Sequence, residues 1–364
     1  MKKLLILTTS ISVDEGRGRY AVDLIKKFSR HFEITVFTSK RPNRYEHELD
    51  DINLKIHDLP GLNKITNPFV YFWCNIKLLP YFLKADMIHY FSDYPYSILL
   101  SWLPFVKKPL FFTIHGTYGV LPLDNLKTKF LVKRVYKKAK KIFCVSKFTE
   151  KQVLKRIKLN NTIVINNGVD YNKFQISEKI ELETLSLLSV GALKPRKGYH
   201  ISIPAIAEVK KKYPNIKYYI VGGKPQKIYT DLVKNLNLEK NIEFLQNLSD
   251  KELIKLYYKS NIFLLTSVTI NDNDFEGFGL VYLEAGACGR PVVGAYGSGA
   301  EDAIIDGETG ILVPQNDVQK TAEAILKLLD NPELAKKMGE NGKKFAQKMD
   351  WKNMVDEYVK IYEN

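Results

Sequence analysis

Apolar runs of strand length alternate with segments of helical periodicity along the whole chain, and this alternation restricts the possible folds more than any other feature. One series of runs covers residues 4–9, 34–39, 87–91, 110–116, 142–146 and 163–166. A second series covers residues 185–191, 216–223, 242–246, 262–267, 291–295 and 311–314. Such repetition is typical of βαβ units in a parallel sheet. The sequence therefore predicts an α/β protein with two Rossmann-like, doubly wound parallel-sheet domains that face a cleft.

The segment between the two series sets the predicted domain organisation. Residues 166–184 have turn signals at Asn167 and Gly168, mixed charges and no sustained periodicity. We expect an N-terminal domain over 1–170, a linker over 171–184 and a C-terminal domain over 185–348. Residues 349–364 have apolar side chains at helical spacing, and we expect this helix to pack back toward the N-terminal domain. Ligands of open parallel sheets bind beyond the carboxyl ends of the strands, so the cleft is the expected site.

The cysteines and the apolar stretches indicate in which compartment of the cell the protein is expected. Cys74, Cys144 and Cys288 are far apart and include no CxxC pair, so neither a disulfide framework nor a zinc site is predicted. The most apolar later stretch, 69–83, is interrupted by polar residues and is shorter than the roughly 20 residues of a membrane span. These features favour a cytoplasmic protein, either free or peripheral at the inner face of a membrane.

The net charge of +15 is concentrated in the first half of the chain. Up to Gln175 the sequence has 30 Lys and Arg against 14 Asp and Glu, whereas the remainder has 25 against 26. A basic half fits nucleic acid, an anionic membrane surface, a phosphorylated acceptor, or an ordinary solvated surface. Nucleic-acid binding is disfavoured, because no helix-turn-helix, zinc or RNP-type signature accompanies the charge.

Two segments of this half have membrane-related interpretations. The basic helix predicted over 127–141 fits an anionic membrane and a surface helix docked on the sheet equally well. Aromatic residues cluster over 69–82, where they could lead a lipid-linked acceptor to the cleft. Core packing is the favoured explanation for most of those rings.

The sharpest chemical motif is a pair of glutamates with seven residues between them. It consists of Glu276, Gly277, Phe278, Gly279 and Leu280, with Glu284 on the helix that we expect to start at about Leu280. Glycines before a helix N-terminus let an anion approach the helix amides, so the segment suits a diphosphate. The two carboxylates could accept hydrogen bonds from hydroxyls on either side of it. Glutamate is also common in first helical turns, which is the simpler alternative.

Other candidate groups also lie at predicted strand ends. Arg196 and Lys197, in the loop 191–198, can hold the oxygens of a departing phosphate without a metal. The alternative is an ordinary basic loop. His115 precedes a glycine and is expected to face the cleft, whereas His89 is more readily a structural group. Asp272 and Asp274 form a DxD pattern that could hold Mg²⁺, although a solvated loop is favoured.

These motifs, together with Thr113–Gly116, Val145–Thr149, Asn167–Asp170 and Asp306–Gly310, resemble the family-4 retaining glycosyltransferases over essentially the whole chain. That resemblance implies the GT-B architecture, a nucleotide-sugar donor with UDP and GDP both open, retention of anomeric configuration, and no metal or organic cofactor. It also implies acceptor binding by the N-terminal domain, donor binding by the C-terminal domain, and a glycan or lipid-linked acceptor. A catalytically silent sugar-binding paralogue is the remaining alternative, and is disfavoured because both glutamates and both cations are present.

The resemblance also assigns roles to the candidate residues. Glu276 and His115 match family residues near the donor sugar, Glu284 matches the ribose-binding glutamate, and Arg196 with Lys197 matches the diphosphate pair. The first-domain loop of the family is usually a GGxG, where this chain has Glu15-Gly16-Arg17-Gly18-Arg19. Gly16 is accordingly a candidate donor contact.

Overall fold

The computed structural model describes residues 1–12, 16–39, 49, 52–61, 67–91, 94–101, 107–178, 180 and 184–363. The chain divides into two compact units, Met1–Asn167 with Trp351–Asn364, and Gly168–Asp350. The segment 171–184, expected to be a linker, belongs to the second unit, and its residues 179 and 181–183 lie outside the described residues. No helix in the described part of the chain is long and apolar enough to cross a membrane.

The first unit is built on a parallel sheet of seven strands in the order β3-β2-β1-β4-β5-β6-β7. The strands are β1 Lys2–Thr8, β2 Phe32–Thr38, β3 Lys55–Asp58, β4 Met87–Tyr90, β5 Leu110–Ile114, β6 Lys141–Cys144 and β7 Thr162–Val164. The central strands are buried on both faces, as in β4 and β5, where every residue is buried. Parallel strands covered on both faces read as continuous apolar runs, which is why the sequence pattern located them.

Strand β3 is absent from the sequence prediction. It reads Lys-Ile-His-Asp, none of its residues is fully buried, and it pairs with β2 at one edge of the sheet. An edge strand covered on one side needs no apolar run, so this strand has no signal in the hydrophobic pattern.

Helices cover both faces of this sheet. They are α1 Gly16–Phe28, α2 Pro68–Lys84, α3 Thr117–Asp124, α4 Leu126–Lys138, α5 Lys147–Arg156 and the C-terminal helix, here named α13, Trp351–Glu363; Tyr96–Ile98 forms a 3₁₀ helix. The connection from β1 to β2 and the connections that follow β3 move in opposite directions along the sheet. Because parallel crossovers are right-handed, α1 lies on one face while α2, α4 and α5 lie on the other.

The C-terminal helix α13 packs beside α1 in the first unit. Its Tyr358 ring lies edge-on to Phe28 of α1, with ring centroids 5.7 Å apart. The Tyr358 hydroxyl is 3.1 Å from that of Tyr20, which in turn is 3.1 Å from the Thr113 hydroxyl of β5. Buried hydroxyls that pair in this way fix the position of α13 on the sheet.

The second unit has a parallel sheet of six strands in the order β10-β9-β8-β11-β12-β13. The strands are β8 Ser186–Val190, β9 Lys217–Val221, β10 Ile242–Leu245, β11 Ile262–Leu264, β12 Val292–Ala295 and β13 Gly310–Val313. The helices are α6 Tyr199–Lys210, α7 Lys227–Asn235, α8 Asp250–Lys259, α9 Leu280–Ala287, α10 Ala300–Ala303, α11 Val318–Asp330 and α12 Pro332–Lys348, with 3₁₀ helices at Tyr171–Phe174 and Pro195–Lys197. The strand order reverses between β8 and β11, and this switch point is where open α/β sheets bind ligands.

Candidate active site

The loops that follow β8 and β11 lie against each other at the switch point of the second unit. The 3₁₀ helix Pro195–Lys197 ends at Gly198, whose φ is +73°. A Cβ added to Gly198 would lie 1.8 Å from the carbonyl oxygen of Thr266, which leaves no space for a side chain. The Thr266 hydroxyl also donates to Gly198 O at 3.1 Å, and Val268 N–H donates to Arg196 O at 2.8 Å. These contacts fix the backbone that carries Arg196 and Lys197.

Glu276 brings both predicted cations together. Its Oε2 atom forms an ion pair with Lys197 Nζ and a second one with Arg196 Nη1 at 3.2 Å. Glu276 and Lys197 are only 8 and 9% exposed. Ser267 Oγ lies 3.5 Å from the same carboxylate oxygen, and Arg196 Nε lies 3.4 Å from Asp274 Oδ1. The second unit therefore contains a buried carboxylate between two cations, and we call Arg196, Lys197 and Glu276 the charge cluster.

The charge of Glu276 is set by competition between burial and its partners. Burial would raise the pKa of this carboxyl group, but the attraction of Lys197 and Arg196 and their hydrogen bonds outweigh it. The pKa of Glu276 is held at about 2. The group is therefore a carboxylate at neutral pH that pairs with both cations, and Arg196 has the Asp274 carboxylate beside it as well.

Glycines shape the approach to helix α9, which begins at Leu280. Gly279 is the N-cap residue of the helix, with φ +89°, and as a glycine it has no side chain to cap the first turn. A Cβ on Gly299 would lie 2.0 Å from Gly277 O, so the backbone just after Glu276 is packed against a neighbouring loop. Phe278, a predicted donor contact, is only 2% exposed. The amides of the α9 N-terminus provide a partial positive charge a few residues after Glu276.

Glu284 lies in the second turn of α9 and is held by a different partner. Its Oε2 accepts a hydrogen bond from the Tyr257 hydroxyl of α8 at 2.8 Å. Tyr257 is buried, and its pKa lies well above the usual value because of burial and the neighbouring carboxylate. This contact ties Glu284 to α8.

His115 follows β5 in the first unit and is a neutral imidazole. Its Nε2–H donates to Phe91 O at 3.1 Å, and the Tyr20 ring lies edge-on with centroids 4.4 Å apart. Burial and the charge of Arg17 lower the pKa of His115 to about 3, against a small opposing effect of the Phe91 carbonyl. Because Nε2 carries the proton, Nδ1 is the acceptor nitrogen.

The predicted first-domain loop is partly described. Glu15 lies outside the described residues, and Gly16 begins α1 with open space where a side chain would project. A Cβ on Gly18 would lie 2.0 Å from Ser12 O, so this second glycine allows the helix to approach the chain that precedes it. Arg17 lies over the Tyr118 ring, 4.2 Å from its centroid.

His89 is a structural group. It is fully buried, its Nε2 is 2.8 Å from the Thr113 hydroxyl, and its Nδ1 contacts the Tyr362 hydroxyl of α13. Burial and the neighbouring His115 hold the pKa of His89 well below its usual value. Nδ1 therefore attaches the C-terminal helix to the sheet, while Nε2 joins His89 to Thr113 of the neighbouring strand β5.

The DxD pattern lies in a tight turn. Asn271 and Asp272 have φ of +49° and +60°, and the Ile270 and Asp274 backbones pair across the turn. Asp274 lies beside Arg196, as described above. Among the residues that the structure describes, no group of three or more His, Cys, Asp or Glu side chains is placed to hold a metal ion.

Sequence reasoning missed three residues of this site: Ser267, Asp274 as a partner of Arg196, and Tyr257. Ser267 follows β11 and Arg196 follows β8, so the rule that strand ends converge at the switch point could have found Ser267. Tyr257 lies within a helix pattern and carries no local signal.

Comparison with known proteins identifies the family. Residues 170–345 match the family model described as Glycosyl transferases group 1, and residues 15–173 match Glycosyltransferase Family 4. An uncharacterized glycosyltransferase of Methanocaldococcus jannaschii is 31% identical over 357 residues, which cover 96% of this chain and 94% of the relative. The chain belongs to the family-4 glycosyltransferases. It is therefore a glycosyltransferase, as the motifs predicted.

The glycosyltransferase also matches a named enzyme over part of its length and a solved structure over all of it. The GDP-mannose-dependent alpha-(1-6)-phosphatidylinositol monomannoside mannosyltransferase of Mycolicibacterium smegmatis is 33% identical over 162 residues, 44% of this chain and 42% of that one. The structure of Anabaena HepE in complex with UDP and glucose superposes with a TM-score of 0.83 at 19% identity, covering all of both chains. The predicted GT-B fold class, with two Rossmann-like parallel-sheet domains, is confirmed.

Proposed function

We propose that this glycosyltransferase moves a sugar from a UDP- or GDP-sugar to a glycan or lipid-linked acceptor, with retention of anomeric configuration and without a metal. The observation that carries the proposal is the charge cluster at the switch point of the second unit. Lys197 is buried and Arg196 is half-buried, both on a fixed backbone. Glu276, which pairs with both, shortly precedes the N-terminus of α9. This combination suits a diphosphate.

The cations act on charge that grows during bond cleavage. As the bond between the anomeric carbon and the diphosphate breaks, negative charge builds on the leaving oxygen. Lys197, Arg196 and the first amides of α9 stabilise it more than they stabilise the bound donor, which is the requirement for catalysis. In this proposal the two fixed cations act in place of a divalent metal.

Glu276 has a second carboxylate oxygen for the sugar. The three contacts found for this group among the described residues are all to Oε2. We assign Oε1 to a hydroxyl of the donor sugar. We assign His115 to the donor sugar as well, where the neutral ring offers Nδ1 as an acceptor.

Glu284 is assigned to the ribose hydroxyls of the donor, with Tyr257 holding its carboxylate in place. Gly16, Gly277, Phe278, Gly279 and Leu280 complete the proposed donor site; buried Phe278 contributes its backbone. UDP and GDP donors both stay in the proposal, because HepE was crystallised with UDP and the mycobacterial relative is named for GDP-mannose. Retention follows if the acceptor hydroxyl attacks on the face that the diphosphate leaves, which needs no separate catalytic base.

A thermal-shift panel of UDP- and GDP-sugars in EDTA tests the proposal. A donor at 100 times its dissociation constant stabilises the protein by about 2.7 kcal/mol, which shifts the melting temperature measurably. We expect at least one nucleotide sugar to bind in EDTA, and NMR of the transfer product to show the donor's anomeric configuration. Activity that is lost in EDTA and restored by Mg²⁺ or Mn²⁺ contradicts the metal-independent mechanism, and an inverted product contradicts retention.

A further inference from the structure

Helix α2 exposes apolar side chains along its full length. The exposed positions follow the i, i+3, i+4, i+7 and i+14 spacing of one helical face. They are Phe69, Phe72, Trp73, Ile76 and Leu83, which are 85, 67, 56, 54 and 62% exposed. The opposite face packs on the sheet through Cys74, Leu78 and Phe82. The helix is therefore apolar on two sides, and the expectation that core packing explains most of its aromatic rings is wrong.

Helix α4 exposes a face that is apolar at one end and basic at the other. Leu126 and Phe130 are 87 and 69% exposed. One to three turns further along the same face, Lys133, Arg134 and Lys137 are exposed. The helix has six Lys and Arg and no acidic residue, and α2 has two lysines and no acidic residue.

The two helices belong to one layer of the first unit. Right-handed crossovers place both on the same face of the sheet. The 3₁₀ helix Tyr96–Ile98 contacts both: α4 packs against it, and the Tyr71 hydroxyl of α2 donates to Ile98 O at 2.9 Å. We call the exposed faces of α2 and α4 together the apolar-basic surface.

We propose that the apolar-basic surface docks this glycosyltransferase onto anionic phospholipid bilayers. Apolar side chains of an interfacial helix enter the boundary between headgroups and acyl chains, while lysines and arginines contact anionic headgroups. Trp73 suits that boundary, and Lys77 lies 5.4 Å from the centroid of its ring. Helix α2 has 17 residues and its inner face is bound to the sheet, so it lies on a bilayer rather than across it.

The charge of the apolar-basic surface favours a bilayer over a second copy of the chain as its partner. A two-fold symmetric dimer would place the same surface on both sides of the interface. Neither α2 nor α4 has a carboxylate that could pair with the cations of the other copy, so the basic residues would repel one another. An anionic bilayer matches both the apolar residues and the charge.

Co-sedimentation of the full chain with vesicles tests this proposal. We expect binding to phosphatidylcholine vesicles that contain 30% phosphatidylglycerol, and much weaker binding to pure phosphatidylcholine. Phe72→Ser with Trp73→Ser should reduce partitioning at least tenfold. Lys133→Glu with Arg134→Glu and Lys137→Glu should reduce it on the anionic vesicles only.

Matched variants in the second unit provide the controls. Ile228→Ser removes an apolar side chain that is 66% exposed, and Lys234→Glu with Lys251→Glu and Lys344→Glu reverses three exposed charges. Both controls should bind vesicles as the unchanged protein does. Brominated lipids should quench Trp73 fluorescence, and Trp73→Phe should remove that share of the quenching.

Three outcomes overturn the proposal: no vesicle binding by the unchanged protein, equal loss in the control variants, or a dimer that Phe72→Ser with Trp73→Ser disrupts while vesicles are ignored. The proposal extends the acceptor half of the proposed function. Vesicle binding requires neither donor nor acceptor. A protein that binds nucleotide sugars but not vesicles would contradict only the docking proposal, and one that binds vesicles but not nucleotide sugars would contradict only the proposed function.

Discussion

At the scale of single residues, the charge cluster shows how the second unit stabilises charged side chains that are buried. A buried carboxylate is costly unless cations compensate it, and a buried lysine is costly for the same reason. Glu276 and Lys197 satisfy each other, with Arg196 alongside. The pairing therefore holds both cations in the positions where we propose that they contact the donor diphosphate.

Replacing Glu284 should affect donor binding more than the chemical step. If it holds ribose hydroxyls equally in the ground and transition states, Glu284→Ala should raise KM for the donor about 10-fold or more and lower kcat much less. Tyr257→Phe keeps the carboxylate but removes its 2.8 Å hydrogen bond, so we expect a smaller rise in KM. Steady-state kinetics with varied donor measures both. A fall in kcat without a change in KM would contradict the ribose assignment.

His115 gives a pH dependence of stability with a defined sign. Its pKa in the folded protein is about 3, below the usual value of about 6.5, so the unfolded chain binds the proton more readily. The stability that the neutral ring contributes is complete above about pH 6.5 and is lost as the pH falls toward 3. Between pH 7.5 and 5 we expect the unchanged protein to lose about 1–2 kcal/mol more unfolding free energy than His115→Gln. Urea unfolding at the two pH values measures this; equal losses in both proteins would show that His115 is not buried as a neutral ring.

At the scale of elements, the loop after β8 depends on a glycine at one position. Gly198→Ala would place a Cβ 1.8 Å from Thr266 O at a φ of +73°. The conformation alone costs about 1–3 kcal/mol, and the clash should displace Arg196 and Lys197 and weaken donor binding. Gly223→Ala is the matched control, because no atom lies within 4 Å of its added Cβ. Chemical denaturation and donor titration of both variants check this, and the idea fails if the two behave alike.

The elements also show what a hydrophobic pattern can and cannot predict. The buried strands β1 and β11 contain continuous apolar runs and were predictable, whereas edge strand β3 was not. Apolar periodicity in α2 indicates a helix, but a helix with apolar residues on both sides gives no information about which side meets the sheet. The outward stripe of Phe69, Phe72 and Trp73 therefore needed a structure.

The candidate site was also predictable only in part. The positions of Arg196, Lys197 and Glu276 at the ends of predicted strands, together with the family resemblance, were enough to select them. The ion pairs among them join residues 79 and 80 apart in sequence, and no spacing rule predicts that Glu276 contacts both cations through one oxygen. The Tyr257 contact with Glu284 depends on how α8 packs beside α9, which the sequence does not encode locally.

At the scale of the whole molecule, charge and chemistry are divided along the chain. The first half has the excess of lysine and arginine and the apolar-basic surface, while the second, near-neutral half has the charge cluster. In our proposals the first half brings the enzyme to an anionic surface that holds the acceptor. The second half holds two of its cations in the charge cluster, where we propose that they bind a diphosphate.

The central claim is that the charge cluster holds the diphosphate of the donor. Isothermal titration of UDP and GDP in EDTA tests it most directly, with the unchanged protein, Arg196→Ala with Lys197→Ala, and Lys194→Ala as the control from the same loop, where Lys194 is exposed. We predict that one nucleotide binds the unchanged protein and Lys194→Ala alike, and that the double variant binds it at least about 100-fold more weakly, as expected for the loss of two charge-assisted contacts. Equal affinity in all three proteins would contradict the account.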